Sequence, residues 1–160
     1  MIRKMVADVM TRNPITAHPT TPLKQVILTM AENRISGIPV VDDSGKLVGI
    51  VSETDLMWQE TGVTPPPYVM ILDSIIYLKN PATYERDLHR ALGVTVAEVM
   101  TSHPIVIQES QSVADAARLM HDRHIHRLPV VDSTGRLAGI LTQGDILRTM
   151  AQELAVTPVA

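Results

Sequence analysis

The sequence repeats itself. Shifting the chain by 90 residues lays Val6–Glu60 on Val96–Met150 without a gap, and 18 of the 55 aligned positions are identical. Unrelated sequences of this composition agree at about one position in fifteen. The two segments are therefore copies of one unit, and that duplication restricts the fold more than any other feature of the chain. Met10-Thr11-x-x-Pro14-Ile15 returns as Met100-Thr101-x-x-Pro104-Ile105, and Pro39-Val40-Val41-Asp42 as Pro129-Val130-Val131-Asp132. Gly49-Ile50 with Asp55 returns as Gly139-Ile140 with Asp145.

Each copy reads as a small mixed unit. Pro14 and Pro104 end a short amphipathic helix, and the residues after them, Ile15-Thr16 and Ile105-Val106-Ile107, predict a brief strand. Leu23, Val26, Ile27 and Met30, and likewise Val113, Ala116, Ala117 and Met120, follow the i, i+3, i+4, i+7 spacing of a helix with one apolar face. Thr21-Pro22 and the stretch from Ser110 to Ser112 supply its caps. Strands are predicted at Ile38–Val41 and Leu47–Val51, joined by Asp42-Asp43-Ser44-Gly45, and again at Leu128–Val131 and Leu137–Leu141, joined by Asp132-Ser133-Thr134-Gly135. A last helix is expected from about Thr54 and Gly144, with Asp55 or Asp145 in its first turn.

A copy of this size is marginal as an independent fold, and its continuous apolar strands leave a sheet face uncovered. The expectation is an α+β protein in which two β-α-β-β-α repeats, residues 1–60 and 96–160, pack about a pseudo-twofold axis. Residues 61–95 form an insert. It opens with the stiff Thr64-Pro65-Pro66-Pro67 and runs through the apolar Tyr68–Leu78. A helix should follow, with Asn80 as N-cap, Pro81 at its first position, Tyr84, Leu88 and Leu92 on one face and Gly93 as its stop. Such an insert is structured.

Composition removes several kinds of function. With no cysteine there are no disulfides, thiolate metal sites or cysteine nucleophiles, and a reducing cytoplasm is the expected compartment. The chain has no Phe, one Trp and three Tyr, so it lacks the stacking platforms of single-strand nucleic-acid binders. A net charge of −3 gives no footprint for a phosphate backbone, and nucleic-acid partners are not expected. The most apolar stretch, Tyr68–Leu78, contains Asp73 and is far short of the roughly 20 residues a membrane-spanning helix needs. No secretory signal is read at Met1–Met10. His121, His124 and His126 lie close together, but no acidic or Cys ligand completes a compact set, and no metal site is expected. Phosphate-loop, dinucleotide, nucleophile-elbow and zinc-protease motifs are all absent, so no catalytic residues are assigned.

The ordered set M-T-x-x-P, P-V-V-D and G-[IV]-[LIV]-[ST]-x-x-D, recurring twice, resembles a tandem pair of cystathionine-β-synthase-type (CBS) domains, a Bateman module, and the resemblance covers all but the insert and the last residues. It implies a stand-alone regulatory module, not an enzyme, with a cleft that takes adenosine-containing ligands. It implies no resident cofactor. A homodimer and a separate effector protein are the expected partners.

Candidate ligand residues follow position by position. In Ser52-Glu53-Thr54-Asp55 and Thr142-Gln143-Gly144-Asp145, a hydroxyl at a strand end stands three residues before a carboxylate in the first helical turn. One reading is a cap that completes the helix N-terminus. The other, favoured by the resemblance, has Asp55 and Asp145 accepting hydrogen bonds from ribose hydroxyls while Ser52, Thr54 or Thr142 points at ribose or phosphate. The two roles are compatible. The second copy has His126-Arg127 just before its Leu-Pro-Val-Val strand, where the first has Ser36-Gly37. Adenylate-sensing relatives contact phosphates from this position, and an Arg fork suits that task; the alternative is a solvated basic turn. Arg34 is a lesser candidate for the same role. Ile38, Pro39 and Val40, Leu128, Pro129 and Val130, and Thr16 and Ile105 complete the expected set, with the branched aliphatic side chains against the base. The expected ligand is AMP, ADP or ATP. The alternatives are another adenosyl compound such as S-adenosylmethionine, or a scaffold or oligomerisation module whose clefts bind nothing. The two clefts should not be equivalent.

Overall fold

A computed structural model describes residues 3–56, 68–71, 74–77 and 95–156. The first copy runs α1 (Val6–Val9), β1 (Thr11–Arg12), α2 (Leu23–Asn33), β2 (Gly37–Val41), β3 (Leu47–Ser52) and α3 (Glu53–Leu56). In the insert, β4 (Tyr68–Ile71) and β5 (Ser74–Tyr77) pair as an antiparallel hairpin, Tyr68 opposite Tyr77. The helix expected from Asn80 to Gly93 lies outside the described residues. The second copy runs α4 (Val96–Val99), β6 (Thr101–Ser102), β7 (Ile107–Gln108), α5 (Val113–Arg123), β8 (Arg127–Val131), β9 (Leu137–Thr142) and α6 (Gln143–Val156).

The backbone keeps the repeat even where the residues differ. Positive φ angles occur in pairs 90 residues apart: Asn13 and His103, Arg34 and His124, Gly45 and Gly135. Arg34 and His124 end α2 and α5 in the left-handed conformation, the Arg34 N–H closing onto the Met30 carbonyl and the His124 N–H onto those of Met120 and His121. Ser112 caps α5 by accepting from the Asp115 N–H at 3.0 Å, while α2 starts after Pro22 with no side-chain cap. The hairpin turns also match. Asp42 Oδ1 accepts from the Ser44 hydroxyl (2.7 Å) and the N–H groups of Ser44 and Lys46, and Asp132 Oδ1 accepts from the Thr134 hydroxyl (2.6 Å) and the N–H groups of Thr134 and Arg136. These donors, the hydroxyls foremost, hold both carboxyls below the ordinary aspartate range. Gly45 and Gly135, each at φ 84°, let the chain turn back where a side chain would be strained.

Two expectations are corrected. No strand forms at Ile15-Thr16; Ala17 alone bridges Val40, donating to the Pro39 carbonyl at 3.0 Å. In the second copy the parallel ladder continues, with Gln108 beside Val131 and the Glu109 N–H on the Val131 carbonyl at 3.1 Å. Pro19 stands where the second copy has Glu109 and has no N–H to continue such a ladder. The last helices begin at Glu53 and Gln143, one residue before the predicted start.

The compact units do not coincide with the sequence repeats. One unit comprises Met1–Thr16, Val41–Gly49 and Ser102–Ala160, and the other Ala17–Val40 and Ile50–Thr101. In the first unit, α1 of copy one packs with copy two: Val6 and Ala7 donate to the carbonyls of Gln111 and Glu109. In the second unit, α4 of copy two packs with copy one by the equivalent bonds, from Val96 to Thr21 and from Ala97 to Pro19. Each copy thus gives up its opening segment and receives the other's.

The first unit holds a four-stranded sheet ordered β1-β9-β8-β7. Its core comprises Val6, Met10, Ile107, Val113, Ala116, Met120, Leu128, Val130, Leu141 and Ile146. Arg12 of β1 lies opposite Gly139 of β9. A Cβ at Gly139 would stand 2.6 Å from the Thr11 carbonyl oxygen and 2.7 Å from the Met10 sulfur, so the glycine is what admits the exchanged strand. The second unit carries most of a three-stranded sheet, β2-β3-β6, over a core that includes Leu23, Val26, Met30, Ile38, Val40, Val51, Val96 and Val99.

Candidate functional site

Both copies bring a strand to its end on a hydroxyl residue and start a helix at once, which folds the carboxylate three residues later back onto the strand end. In the second unit, Asp55 Oδ2 accepts from the Ser52 N–H at 2.8 Å and the Ser52 hydroxyl at 3.2 Å. In the first unit, Asp145 Oδ2 accepts from the Thr142 N–H at 2.9 Å and the Thr142 hydroxyl at 3.0 Å, and the Asp145 N–H returns a bond to Thr142 Oγ at 3.2 Å. Copy two forms the reciprocal cap, while in copy one the bonds run from Ser52 to the carboxylate; in both they account for one oxygen of the carboxylate.

The other oxygen separates the copies. Asp55 Oδ1 accepts from the hydroxyl of Thr101 at 3.0 Å, and Asp55 is 4% exposed. Thr101 belongs to the exchanged opening motif of copy two, so this bond spans 46 residues of sequence. Asp145 Oδ1 is instead held by Nη2 of Arg148, one turn along its own helix, whose side chain is 69% exposed. A guanidinium on a solvated stem can leave; a threonine fixed in a strand pair cannot leave without disturbing that strand.

Two more candidates of the first unit, Arg127 and His126, are tied to the residues just before Asp145. Arg127 lies directly opposite Thr142 across the β8–β9 pair. The Gln143 N–H donates to the His126 carbonyl at 3.0 Å, and the His126 ring Nδ1 and Gln143 Oε1 are 3.0 Å apart, which assigns the proton to Nδ1. Gln143 Nε2 reaches the Ile125 carbonyl at 3.4 Å. His126 is exposed and Arg127 half-buried, and both lie on the chain beside the strand end that starts α6. Thr16 is exposed and outside any strand, and Ile105 is half-buried against the core of the same unit.

In the second unit Ser52 and Asp55 come together, Thr54 is exposed on α3, and the Glu53 N–H donates to the Ser36 carbonyl at 3.0 Å. Arg34 is the repeat equivalent of His124, a helix-ending residue, and not of His126 or Arg127.

The aliphatic candidates need a correction. Ile38, Val40, Leu128 and Val130 are at most 1% exposed, and Pro39 and Pro129 are buried, so in this structure they serve the cores. In a strand with both faces covered, the polar backbone is what a neighbouring molecule can meet. Three residues that matter here were not singled out from the sequence. Gln143 and Arg148 carry no motif, and Thr101 was visible only as part of an opening motif whose long-range partner the sequence does not show. Among the described residues no cluster of three or more His, Asp or Glu could hold a metal ion, and no helix is long and apolar enough to cross a membrane.

The sequence profile of the CBS domain matches residues 6–59 and 96–152. An uncharacterised protein of Methanocaldococcus jannaschii, MJ1426, is 37% identical over 155 residues, covering 91% of this chain and 90% of that protein. The chloroplastic CBS domain-containing protein CBSX1 of Arabidopsis thaliana is 36% identical over 138 residues, covering 84% of this chain and 58% of its own, so this chain spans little more than half of that relative. Among solved structures, CBSX2 of Arabidopsis thaliana in complex with AMP superposes with a TM-score of 0.72 at 31% identity, over 94% of this chain and 98% of that one. The CBS domain pair of MJ0100, in complex with 5′-methylthioadenosine and S-adenosyl-L-methionine, superposes with a TM-score of 0.67 at 27% identity, over 94% and 98%. With both repeats matched and their fold reproduced, the chain belongs to the CBS-domain family and carries two copies of that domain.

Proposed function

We propose that this chain is a regulatory module that senses an adenosine nucleotide, AMP, ADP or ATP, through the second-copy site. The reading is supported by the Arg127–Thr142 strand pairing and the Gln143–His126 backbone bond, which bring His126 and Arg127 alongside the segment that carries the Thr142–Asp145 clamp. Asp145 Oδ1 accepts from the ribose hydroxyls, Thr142 completes the sugar contact, and Arg127 with His126 holds phosphate. The base lies along the backbone of Leu128, Pro129 and Val130, with Thr16 and Ile105 beside it. The AMP complex of CBSX2 supports this reading. The equivalent set in copy one, Ser52, Thr54, Asp55, Ile38, Pro39, Val40 and Arg34, is the weaker site, because its free carboxylate oxygen is already satisfied.

No catalytic role is assigned. The module works by binding one conformation better than another and passing that preference to an effector protein in the cytoplasm. A homodimer is part of the proposal. Leu147 and Leu154 of α6 are 67% and 74% exposed, and together with Met150 they leave apolar surface that a second copy would cover.

Thermal shift with AMP, ADP, ATP and S-adenosylmethionine tests the reading, since a ligand at 100 times its Kd stabilises by about 2.7 kcal/mol. The expected result is a shift with the nucleotides that Asp145→Ala removes. No shift with any of them, together with no calorimetric heat, would refute the reading.

A further inference from the structure

Arg148 sits where a cation is least expected. Long helical side chains lean toward the helix N-terminus, and this guanidinium folds back over the first turn of α6, its Nη1 3.4 Å from where a Cβ on Gly144 would stand. That end of a 14-residue helix is the positive end of its dipole, which favours an anion, and its Gln143 and Asp145 N–H groups already bond the His126 carbonyl and Thr142 Oγ. Among the described residues Asp145 Oδ1 compensates the guanidinium, and on the reading above that is the oxygen that accepts from ribose. The position is peculiar to copy two: copy one has Thr54 and Trp58 where copy two has Gly144 and Arg148.

We propose that Arg148 is the specificity-determining residue of the second-copy site and selects adenosine ligands that carry phosphate. The inference rests on the nucleotide-binding reading above. In the free protein the guanidinium occupies Asp145. When ribose hydroxyls take Oδ1, Arg148 is released beside the helix N-terminus with its charge unpaired. A 5′-phosphate there restores a partner to the guanidinium and complements the dipole, forming a fork-type contact alongside Arg127. Adenosine, 5′-methylthioadenosine and cationic S-adenosylmethionine displace Arg148 and give nothing back. The same residue therefore favours the anionic ligand and penalises the others.

Calorimetric titrations of AMP and adenosine into wild type, Arg148→Met and Arg148→Lys test this. Methionine keeps the stem and removes the charge, so AMP should weaken about tenfold while adenosine binds as well or better, and the AMP-to-adenosine affinity ratio should fall at least about tenfold. Lysine, a charge without the fork, should recover part of that ratio. A ratio unchanged by Arg148→Met, with both ligands moving together or neither moving, overturns the role of Arg148 alone. Wild-type protein that binds neither ligand overturns the underlying site and this inference with it.

Discussion

Asp55 and Asp145 occupy equivalent places in two copies of one sequence, and both fold Oδ2 back onto the strand-end residue with nearly the same geometry. Their second oxygens have different fates. Asp55 is sealed by Thr101, a residue delivered by the exchanged opening segment, whereas Asp145 is covered by a solvent-exposed side chain of its own helix. A duplication keeps the fold because backbone conformation and core spacing are held in both copies. Divergence at a few side chains around one carboxylate is enough to give its second oxygen a partner from the exchanged segment in one copy and from its own helix in the other.

The largest expected effect follows from removing the available carboxylate. Asp145→Ala should weaken AMP about 100-fold by calorimetry, the loss of charge-assisted bonds to ribose. Asp55→Asn should leave AMP affinity within about twofold, because Asp55 Oδ1 is already engaged by Thr101. Equal losses would erase the distinction between the copies.

Next in size is the seal itself. Thr101→Val strips Asp55 Oδ1 of its donor and should cost about 1 to 3 kcal/mol in denaturant unfolding. Thr11→Val, at the equivalent position of copy one and exposed like Thr101, should change stability by less than about 0.5 kcal/mol, because Asp145 Oδ1 takes its bond from Arg148. A smaller change follows from giving copy two the residue of copy one: Gln143→Glu places a carboxylate beside His126 and the bound phosphate, and should weaken AMP by about threefold to tenfold, more at low salt than at high salt.

The hairpin turns are the control, since there the copies agree. Asp42→Ala and Asp132→Ala should lower the melting temperature at neutral pH by a similar few degrees. Both carboxyls have lowered folded-state values, so their contribution is present above the unfolded aspartate value of about 3.9 and is lost as pH falls through the folded one. The difference from wild type should shrink on acidification in melts followed by circular dichroism. A difference that grows would show the sign of the linkage to be wrong.

Much of this was legible in the sequence because it is local. Apolar spacing over Leu23–Met30 and Val113–Met120, the Asp-x-x-Gly turns and the hydroxyl-to-carboxylate spacing each report interactions within a few residues. The exchange of opening segments was not legible, because Val6 reaching Gln111 and Val96 reaching Thr21 are tertiary choices that leave the local pattern unchanged. The missing strand at Ile15-Thr16 was within reach, since Pro19 is written in the sequence; its effect depends on which strand lies alongside. The burial of the aliphatic candidates was hidden for a related reason: Ile38, Val40, Leu128 and Val130 alternate with residues that are also buried, so periodicity could not distinguish a core from a cleft wall.

The central claim, that one of two homologous carboxylates serves a ligand, is tested most directly by the stoichiometry of AMP binding to the wild-type chain. Calorimetry should give one AMP per chain at the tight site. Two equivalent AMP molecules per chain, or a single one that survives Asp145→Ala and is lost in Asp55→Asn, would contradict the account.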